Sequence, residues 1–338
     1  MRLRACLAAV VVAATLLVAC AGDDDDPTGA PASTTPPTTA ASVTPETTVA
    51  PAPPASATAA PVDLCAYRDL GIWVDVFDSV AAFAEPGATS PVTPDDVATM
   101  AAEGARTLYL QVSRDDPRAP GLMADPVLAG EFLRAGHAAG MRVVAWYLAT
   151  HADPARDLDK TLALVEFTAD GERFDSIALD IEGTEAVADI AERNRRLLDL
   201  AAGLDNAAGD RPVGAIVYPP IAFDVLNTTL WPDFPWQALT PFVDVWLPMA
   251  YWTNRNADSP YRDAYRYTIE NVERLRAHLD DPDAVVHVIG GIADEATSED
   301  YEGFRRAVSE VGAIGWSVYD FDTLDPSAWP LLRGPSTC

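Results

Sequence analysis

Three observations predict an α/β protein built on a (β/α)8 (TIM) barrel. Eight short runs rich in β-branched and aromatic residues recur along the chain, helix-like segments separate them, and residues 62–338 suffice for one large domain. The runs cover residues 71–77, 107–113, 142–148, 176–182, 213–218, 243–249, 285–290 and 313–319. A doubly wound open sheet is the alternative, but no glycine-rich phosphate loop follows the first run to support it.

Capping signals delimit the segments between the runs. Thr93, followed by Pro94 and two aspartates, is typical of a helix start, and we expect that helix to reach Glu103. Gly140 is expected to close the helix that begins at Val127.

The first 61 residues predict export and anchoring. Residues 1–19 carry two early arginines and then an apolar run, as a bacterial signal peptide does. The tetrapeptide LVAC resembles a lipobox, which implies cleavage before Cys20 and a lipid on that cysteine. An uncleaved membrane anchor is the alternative, but the apolar run is shorter than the roughly 20 residues that span a bilayer. Residues 20–61, rich in Ala, Pro, Thr and Ser, predict a disordered tether that holds the domain off the extracytoplasmic face of the cell membrane.

Export also bears on the cysteines. Cys6 leaves with the signal and Cys20 takes the lipid, so Cys65 and Cys338 remain at the two ends of the domain. We predict that these two form a disulfide, with two free thiols as the alternative.

The formal net charge of −28 makes nucleic acid an unfavourable partner. None of the four histidines pairs with another at a metal-ligand spacing, so we expect no zinc site, and no sequence pattern indicates a cofactor or an oligomeric state.

The run FDSIALDIEG, residues 174–183, carries the most informative pattern. On a strand, Ile177 and its alternate neighbours share one face, while Ala178, Asp180 and Glu182 share the other. A carboxylate in a dry interior is costly unless it is paired, hydrogen-bonded or used. Because active sites of such barrels lie at the carboxyl ends of the strands, we expect the two carboxylates to face the barrel mouth.

Other strand ends would supply the walls of this site. Aromatic rings beside carboxylates suit a sugar, because rings stack on a pyranose while acids act on its glycosidic oxygen. The residues expected to bind substrate are Asp75, Gln111, Tyr147, Tyr218, Met249, Trp252 and Trp316, with Tyr251 beside the reacting sugar.

The fourth run is similar to the signature of family 18 glycoside hydrolases, the chitinase-like barrels. That signature reads D-G-x-D-x-D-x-E after an apolar residue; Asp175, Asp180 and Glu182 match it, while Ser176 replaces the glycine and Ala178 the middle aspartate. The sixth run has M-A-Y-W (249–252) where the family has M-x-Y-D. Near the eighth run, GAIGWSVYDFD (312–322) resembles the family's last strand, with Trp316 as the ring below the sugar.

The resemblance implies roles for individual residues. Glu182 would be the general acid, and Asp180 would orient a 2-acetamido group whose carbonyl attacks the anomeric carbon. Tyr251 would donate to that same acetamido group. The implied function is a tethered glycoside hydrolase acting on a polysaccharide, without a metal.

Several alternatives stay open at the level of sequence. Asp180 could instead pair with an arginine on a neighbouring strand, and Tyr251 and Trp316 could simply fill the barrel. The aromatic segment 231–236 could line a glycan groove or cover the mouth. Ala178 is compatible with a catalytically silent barrel that binds glycan. A metal-dependent phosphodiesterase is disfavoured because the expected histidines on the first strand are absent.

Overall fold

The computed structural model describes residues 62–84 and 87–338. Its centre is one sheet of eight parallel strands in the order β6-β5-β4-β3-β2-β1-β8-β7. Parallel bridges from Trp246 to Val286 and from Met249 to Ile289 close the sheet between β6 and β7. The predicted (β/α)8 barrel is therefore confirmed. The strands are β1 (Asp69–Val74), β2 (Thr107–Arg114), β3 (Arg142–Leu148), β4 (Ser176–Ile181), β5 (Val213–Val217), β6 (Val245–Pro248), β7 (His287–Ile292) and β8 (Gly315–Tyr319).

Helices cover the outside of the barrel and cap its connections. They are α1 (Val76–Ser79), α2 (Val97–Ala102), α3 (Pro126–Ala138), α4 (Pro154–Glu166), α5 (Ile190–Ala208), α6 (Trp236–Leu239), α7 (Ala264–Leu279), α8 (Ser298–Glu310) and α9 (Trp329–Leu332). Thr93 begins the α2 region with a capping box to Asp96, and Gly140 follows α3 with a φ of 74°. Both predicted helix limits agree with the structure.

The first strand is shorter than the sequence predicted. It ends at Val74 because Asp75 turns the chain, accepting hydrogen bonds from the backbone N–H groups of Phe77 (2.7 Å) and Asp78 (3.1 Å). Residues 76 and 77, which the β-rich run included, belong to α1 instead. Asp75 therefore lies at the carboxyl rim of the barrel as an N-cap.

Two apolar clusters occupy the two faces of the sheet. One fills the barrel interior and includes Trp73, Tyr109, Trp146, Ala178 and Met249. The larger one lies between the barrel and the helices. Every parallel strand is thus buried on both faces, as expected for this architecture.

The amino end of the barrel is plugged by Tyr67, which is fully buried. Its hydroxyl lies 2.5 Å from the Ser176 hydroxyl, and a Cβ on Gly214 would approach that same Tyr67 oxygen to 2.4 Å. The plug thus requires a glycine on β5. It also closes this end of the barrel interior.

The chain ends of the domain are joined by the predicted disulfide. Cys65 and Cys338 are bonded, with their Cα atoms 5.8 Å apart. The predicted signal peptide (1–19), the lipidated Cys20 and the tether (20–61) lie outside the described residues. In the described part of the chain, no helix has the length and apolar character needed to cross a bilayer.

Candidate active site at the carboxyl end of the barrel

Asp180 and Glu182 lie on the inner side at the carboxyl end of β4. The register pairs Ala178, an interior residue, with Trp146 of β3, so Asp180 and then Glu182 follow toward the mouth on the same face. Asp180 is only 4% exposed, and its Oδ1 has no hydrogen-bond partner among the described residues. Glu182 is half-buried just beyond the strand.

The environment of this pair favours protonation. Burial, and next the negative charge of Glu182, raise the pKa of Asp180 well above its usual value. Burial likewise raises the pKa of Glu182. Arg114, at the end of β2, opposes the shift for both carboxyls. Within the described residues no ion pair engages either carboxylate at close range, so the structural salt bridge considered for Asp180 is not formed.

Two tyrosines face the pair. Tyr251 follows β6, and burial together with the charges of Glu182 and Asp180 raises its hydroxyl pKa well above the usual value. Tyr218 follows β5; burial first and then Glu182 raise its pKa, and its hydroxyl donates to the Glu182 carbonyl oxygen at 3.4 Å. Both phenols thus remain protonated donors beside the carboxyls.

The structure brings three further predicted residues toward the mouth. Met249 is buried in the interior cluster against which Tyr251 packs. Gln111 accepts a hydrogen bond from the Val76 N–H at 3.2 Å, and its Nε2 has no partner among the described residues. Asp75 accepts a short hydrogen bond from the Tyr319 hydroxyl.

A second group of carboxyls lies at the ends of β1 and β8. Single oxygens of Asp75, Asp78 and Asp320 lie within 4.8 Å of one another, an arrangement that could hold a cation. Burial and the neighbouring carboxylates raise the pKa of Asp78 to about 9 and that of Asp320 to about 6. Shared protons can therefore relieve the repulsion within the group at neutral pH.

Trp316 does not lie below a sugar, contrary to expectation. Its indole packs in the outer cluster and donates a hydrogen bond to the Leu332 carbonyl oxygen at 2.8 Å. The guanidinium carbon of Arg305 lies 3.4 Å from the centroid of the ring. The inner positions of β8 are Gly315, Ser317 and Tyr319. A Cβ on Gly315 would approach the Tyr67 carbonyl oxygen to 2.2 Å, so the interior has no room for a side chain there.

Tyr147 and Trp252 are also turned away from the mouth. The Tyr147 hydroxyl donates a short hydrogen bond to Asp157 of α4, outside the barrel. Trp252 is fully buried in the outer cluster, with its ring centroid 5.2 Å from that of Phe304 in α8. Both predicted substrate contacts are therefore wrong, and their physical role is to join barrel and helices.

The segment 231–236, expected to line a glycan groove or to cover the mouth, places its aromatic side chains in the outer cluster. Its three aromatic residues, Trp231, Phe234 and Trp236, are each less than 8% exposed and pack in the outer cluster.

Asp175, which matched the start of the family signature, binds His137 (2.9 Å) and Arg142 (3.0 Å). It precedes β4 and lies at the end of the barrel away from the mouth.

Two residues of the mouth, Tyr319 and Arg114, were not predicted from the sequence. Tyr319, on the inner face of β8, has its ring centroid 6.2 Å from that of Tyr251 and binds Asp75. Alternation from Ser317 would have placed it there. Arg114 has no such signal, because an irregularity in the register between Gln111 and Ser113 alters which side chains face inward.

Taken together, the mouth presents carboxyls with raised pKa values beside protonated phenols and above aromatic rings. These rings form the floor of the mouth: the ring centroid of Trp73 lies 4.3 Å from that of Tyr109, on which it stacks, and 5.7 Å from that of Trp146, which it meets edge-on. A half-buried carboxyl that retains its proton can transfer it to a leaving oxygen. The arrangement therefore suits general-acid chemistry.

No family model matches this sequence, and no curated protein matches it. Solved structures do match its fold. A class V chitinase from Pseudomonas fluorescens Pf-5 superposes with a TM-score of 0.56 at 10% identity over 78% of this chain and 98% of that chain. The chain has a chitinase-like barrel fold. The Ostrinia furnacalis Group IV chitinase gives a TM-score of 0.54 at 12% identity (78% and 97% covered). A GH113 beta-1,4-mannanase gives a TM-score of 0.50 at 11% identity, over 79% of this chain and 92% of that chain.

Proposed function

We propose that this protein is a glycoside hydrolase that cleaves O-glycosidic bonds of a polysaccharide, with Glu182 as general acid and Asp180 assisting. The observation that carries the proposal is the carboxyl pair at the end of β4, whose pKa values are raised by burial in the barrel mouth. The glycoside hydrolases among the structural neighbours, at 10–12% identity, support a hydrolase fold and leave the activity to be tested.

Proton transfer is the first step of the proposed mechanism. Glu182, half-buried and closer to solvent than Asp180, donates its proton to the glycosidic oxygen as the bond to the anomeric carbon breaks. Asp180, held at 4% exposure behind it, would receive a hydrogen bond from the substrate. The resemblance implies that this contact orients a 2-acetamido group whose carbonyl oxygen attacks the anomeric carbon.

The phenols would position the sugar. Burial and the charges of both carboxyls raise the pKa of Tyr251, so its hydroxyl keeps its proton and would donate it in a hydrogen bond to the substrate. Tyr218 donates to the Glu182 main chain and would hold the acid in place. Met249 supplies an apolar contact beside Tyr251.

The proposed setting is the extracytoplasmic face of the cell membrane, with Cys20 lipidated and residues 20–61 as the tether. Cys20→Ser should release the protein from the membrane fraction while the domain stays folded, because the disulfide and the core lie within residues 65–338. Retention of this variant on membranes would contradict the anchor.

A second candidate is a barrel that binds glycan without cutting it. Ala178, fully buried at the inner position where the family carries an aspartate, favours it because a proton-sharing partner of Asp180 is missing. Chromogenic N-acetylglucosaminides and a panel of envelope glycans and mannans, incubated with the parent and with Glu182→Gln, separate the two. Hydrolysis by the parent alone supports the enzyme; binding by both without products supports the binder.

A further inference from the structure

His151 is a buried imidazole that the proposed mechanism does not use. It follows β3 at the carboxyl end of the barrel and is 1% exposed, yet neither ring nitrogen has a hydrogen-bond partner among the described residues. A neutral imidazole carries one donor and one acceptor, and here both are unsatisfied. Such a buried group is costly, and in a native fold it commonly marks strain or a function.

The main chain of His151 is held by the two helices that flank it. Its N–H donates to Asp157 of α4 at 2.8 Å, and its carbonyl oxygen accepts from Arg196 of α5 at 2.7 Å. The residue has a φ of 60°, in the left-handed region that side chains other than glycine rarely adopt. Such a backbone persists only where its surroundings enforce it. These two contacts therefore keep the segment 149–153, which we call the β3 latch, closed.

The β3 latch lies directly against the end of β4. The Ala149 N–H donates to the Asp180 carbonyl oxygen at 3.3 Å. A Cβ on Gly183 would approach the Ala149 carbonyl oxygen to 2.3 Å, so the chain just after Glu182 packs tightly against the latch. Opening of the latch would therefore remove the neighbour that supports the carboxyl pair.

The imidazole of His151 lies near an unbalanced positive charge. Its ring meets Trp231 edge-on, with the two ring centroids 6.0 Å apart, and the Arg193 guanidinium carbon lies 4.8 Å from the same Trp231 centroid. Arg193 donates to the Thr184 and Val187 carbonyl oxygens, and no carboxylate of the described chain forms an ion pair with it. A second cation at His151 would thus have an uncompensated neighbour.

The remaining charged and titratable groups around the imidazole are Asp157 of α4, Tyr147 of β3, and Arg196 and Glu192 of α5. Arg196 and Glu192 form an ion pair at 2.7 Å. The two oxygens of Asp157 accept from the Tyr147 hydroxyl and from the His151 main chain, so both are occupied. Burial first, and then the two arginines, accordingly lower the pKa of His151 to about 4.

We propose that the β3 latch is an acid-sensitive switch: protonation of His151 opens the segment 149–153 and withdraws its support from the Asp180–Glu182 pair. The proton binds the open form, in which the imidazole reaches water. The closed form offers the imidazolium neither solvent nor an acceptor. Because the pKa of the closed form lies below that of an exposed histidine, the closed form is fully stable above about pH 6.5 and loses stability as the pH falls toward 4.

His287 at the amino end shows that burial alone does not make such a switch. It is also fully buried, but its Nδ1 lies 2.8 Å from the Tyr67 carbonyl oxygen and its Nε2 lies 2.9 Å from the Ser317 hydroxyl. An imidazolium at this position would donate to both oxygens. Since His151 has no such acceptors, we expect the latch to open first as the pH falls.

The test is native-state hydrogen exchange of single amides, followed by NMR on the full chain at about pH 7 and about pH 4.5. Protection factors of the Ala149 and His151 amides, corrected for the intrinsic exchange rate, should fall about fiftyfold. This is the change that histidine pKa values of about 6.5 in the open form and about 4 in the closed form require. The Ala105 amide, bonded to the Met100 carbonyl oxygen at 3.0 Å, is the internal control and should stay protected.

His151→Phe keeps an aromatic ring beside Trp231 and removes the site of protonation, so its latch amides should not lose protection at the lower pH. Asp157 titrates in both proteins, and in the opposite sense, because burial raises its pKa and so favours the closed form at low pH. The difference between the parent and the variant therefore isolates the imidazole.

The matched control is His278→Phe. His278 stacks on Trp236, in the same aromatic segment as Trp231, with the ring centroids 5.3 Å apart, but its Nε2 lies 3.0 Å from Asp224. Because this histidine has a carboxylate partner and lies outside the latch, His278→Phe should show the same loss of latch protection as the parent.

Equal protection of the latch amides at both pH values in the parent would overturn the proposal, as would an undiminished loss in His151→Phe. A loss that extends to the Ala105 amide would mean global unfolding and would also contradict it. Should His151→Phe fail to fold, His151→Asn, whose side chain suits the left-handed backbone, decides in the same way. The measurement needs no substrate, so a protein that hydrolyses nothing would reject only the proposed function.

Discussion

The polar groups around Tyr67 at the amino end of the barrel are hydrogen-bonded to one another, whereas the carboxyls and the amide of the mouth keep atoms without a partner. At the amino end the Ser176 hydroxyl donates to the Pro212 carbonyl oxygen at 2.7 Å, and His287 binds both the Tyr67 carbonyl oxygen (2.8 Å) and the Ser317 hydroxyl (2.9 Å). At the mouth, atoms of Asp78, Gln111 and Asp180 lack partners among the described residues, as do Thr107 Oγ1 and Arg211 Nη1 near the amino ends of β2 and β5.

Hydrogen-bonded and unsatisfied buried groups have different consequences for the stability of the fold. A satisfied buried hydrogen bond contributes modestly to stability, whereas an unsatisfied one costs about 1 to 3 kcal/mol. Such groups at the mouth are candidates for contacts to a ligand or for a part in a reaction. The amino end should therefore respond to mutation through unfolding, and the mouth through binding and chemistry.

The largest expected effect comes from removing the plug. Tyr67→Ala should lower the free energy of unfolding by about 3 to 5 kcal/mol, because it empties a fully buried aromatic site. Denaturant unfolding measures it. Tyr67→Phe, which keeps the ring and loses the hydroxyl's bonds to Ser176 and to the Ile177 carbonyl oxygen, should cost about 1 kcal/mol. Equal losses in both variants would mean that the hydroxyl, rather than the packing, closes this end.

A mouth phenol should behave differently. If the hydroxyl binds the substrate as proposed, Tyr251→Phe should cost about 1 to 3 kcal/mol of transition-state binding in kcat/KM, with little change in melting temperature. Steady-state kinetics beside thermal melts make the comparison. A destabilised variant with normal kinetics would place Tyr251 among the packing residues instead.

The smallest effect is on the pH dependence of stability. Asp78 has a folded pKa of about 9, so above about pH 4 the unfolded chain releases a proton that the folded state keeps. The stability of the folded state that depends on the protonated Asp78 carboxyl is thus fully present at low pH, and it declines as the pH rises toward 9. Asp78→Asn should stabilise the protein by about 1 to 2 kcal/mol at pH 8 and by less at pH 5. The exposed Asp159, changed to Asn on α4, is the control; a pH-independent gain in Asp78→Asn would contradict the raised pKa.

The limits of sequence prediction follow from the same architecture. Hydrophobic runs revealed the strands, and β3 has the predicted bounds. They did not reveal which face of a strand is inside, because both faces of a parallel barrel strand are apolar. Tyr147 and Trp316 were therefore assigned to the wrong face. On β4 the two acids interrupt the apolar pattern, and the sequence therefore indicated that the Asp180 side chain faces inward.

Local irregularities of the backbone explain the other differences between the sequence prediction and the structure. The disturbed register before Ser113 directs that hydroxyl outward, where it donates to the Leu122 carbonyl oxygen at 2.6 Å, and brings Arg114 inward. No propensity or spacing marks such a bulge in one sequence. Asp75 was expected on a strand and is a helix cap, because its carboxylate captures the next two free N–H groups.

The most direct test of Glu182 as general acid compares two leaving groups. Glu182→Gln keeps the shape of the side chain but cannot donate a proton from a carboxyl. Turnover of an unactivated oligosaccharide should fall at least about a hundredfold, whereas that of a dinitrophenyl glycoside of the same sugar, whose leaving group needs no proton, should fall less than about tenfold. Equal losses on both substrates, or an unchanged turnover of the oligosaccharide, would contradict the account.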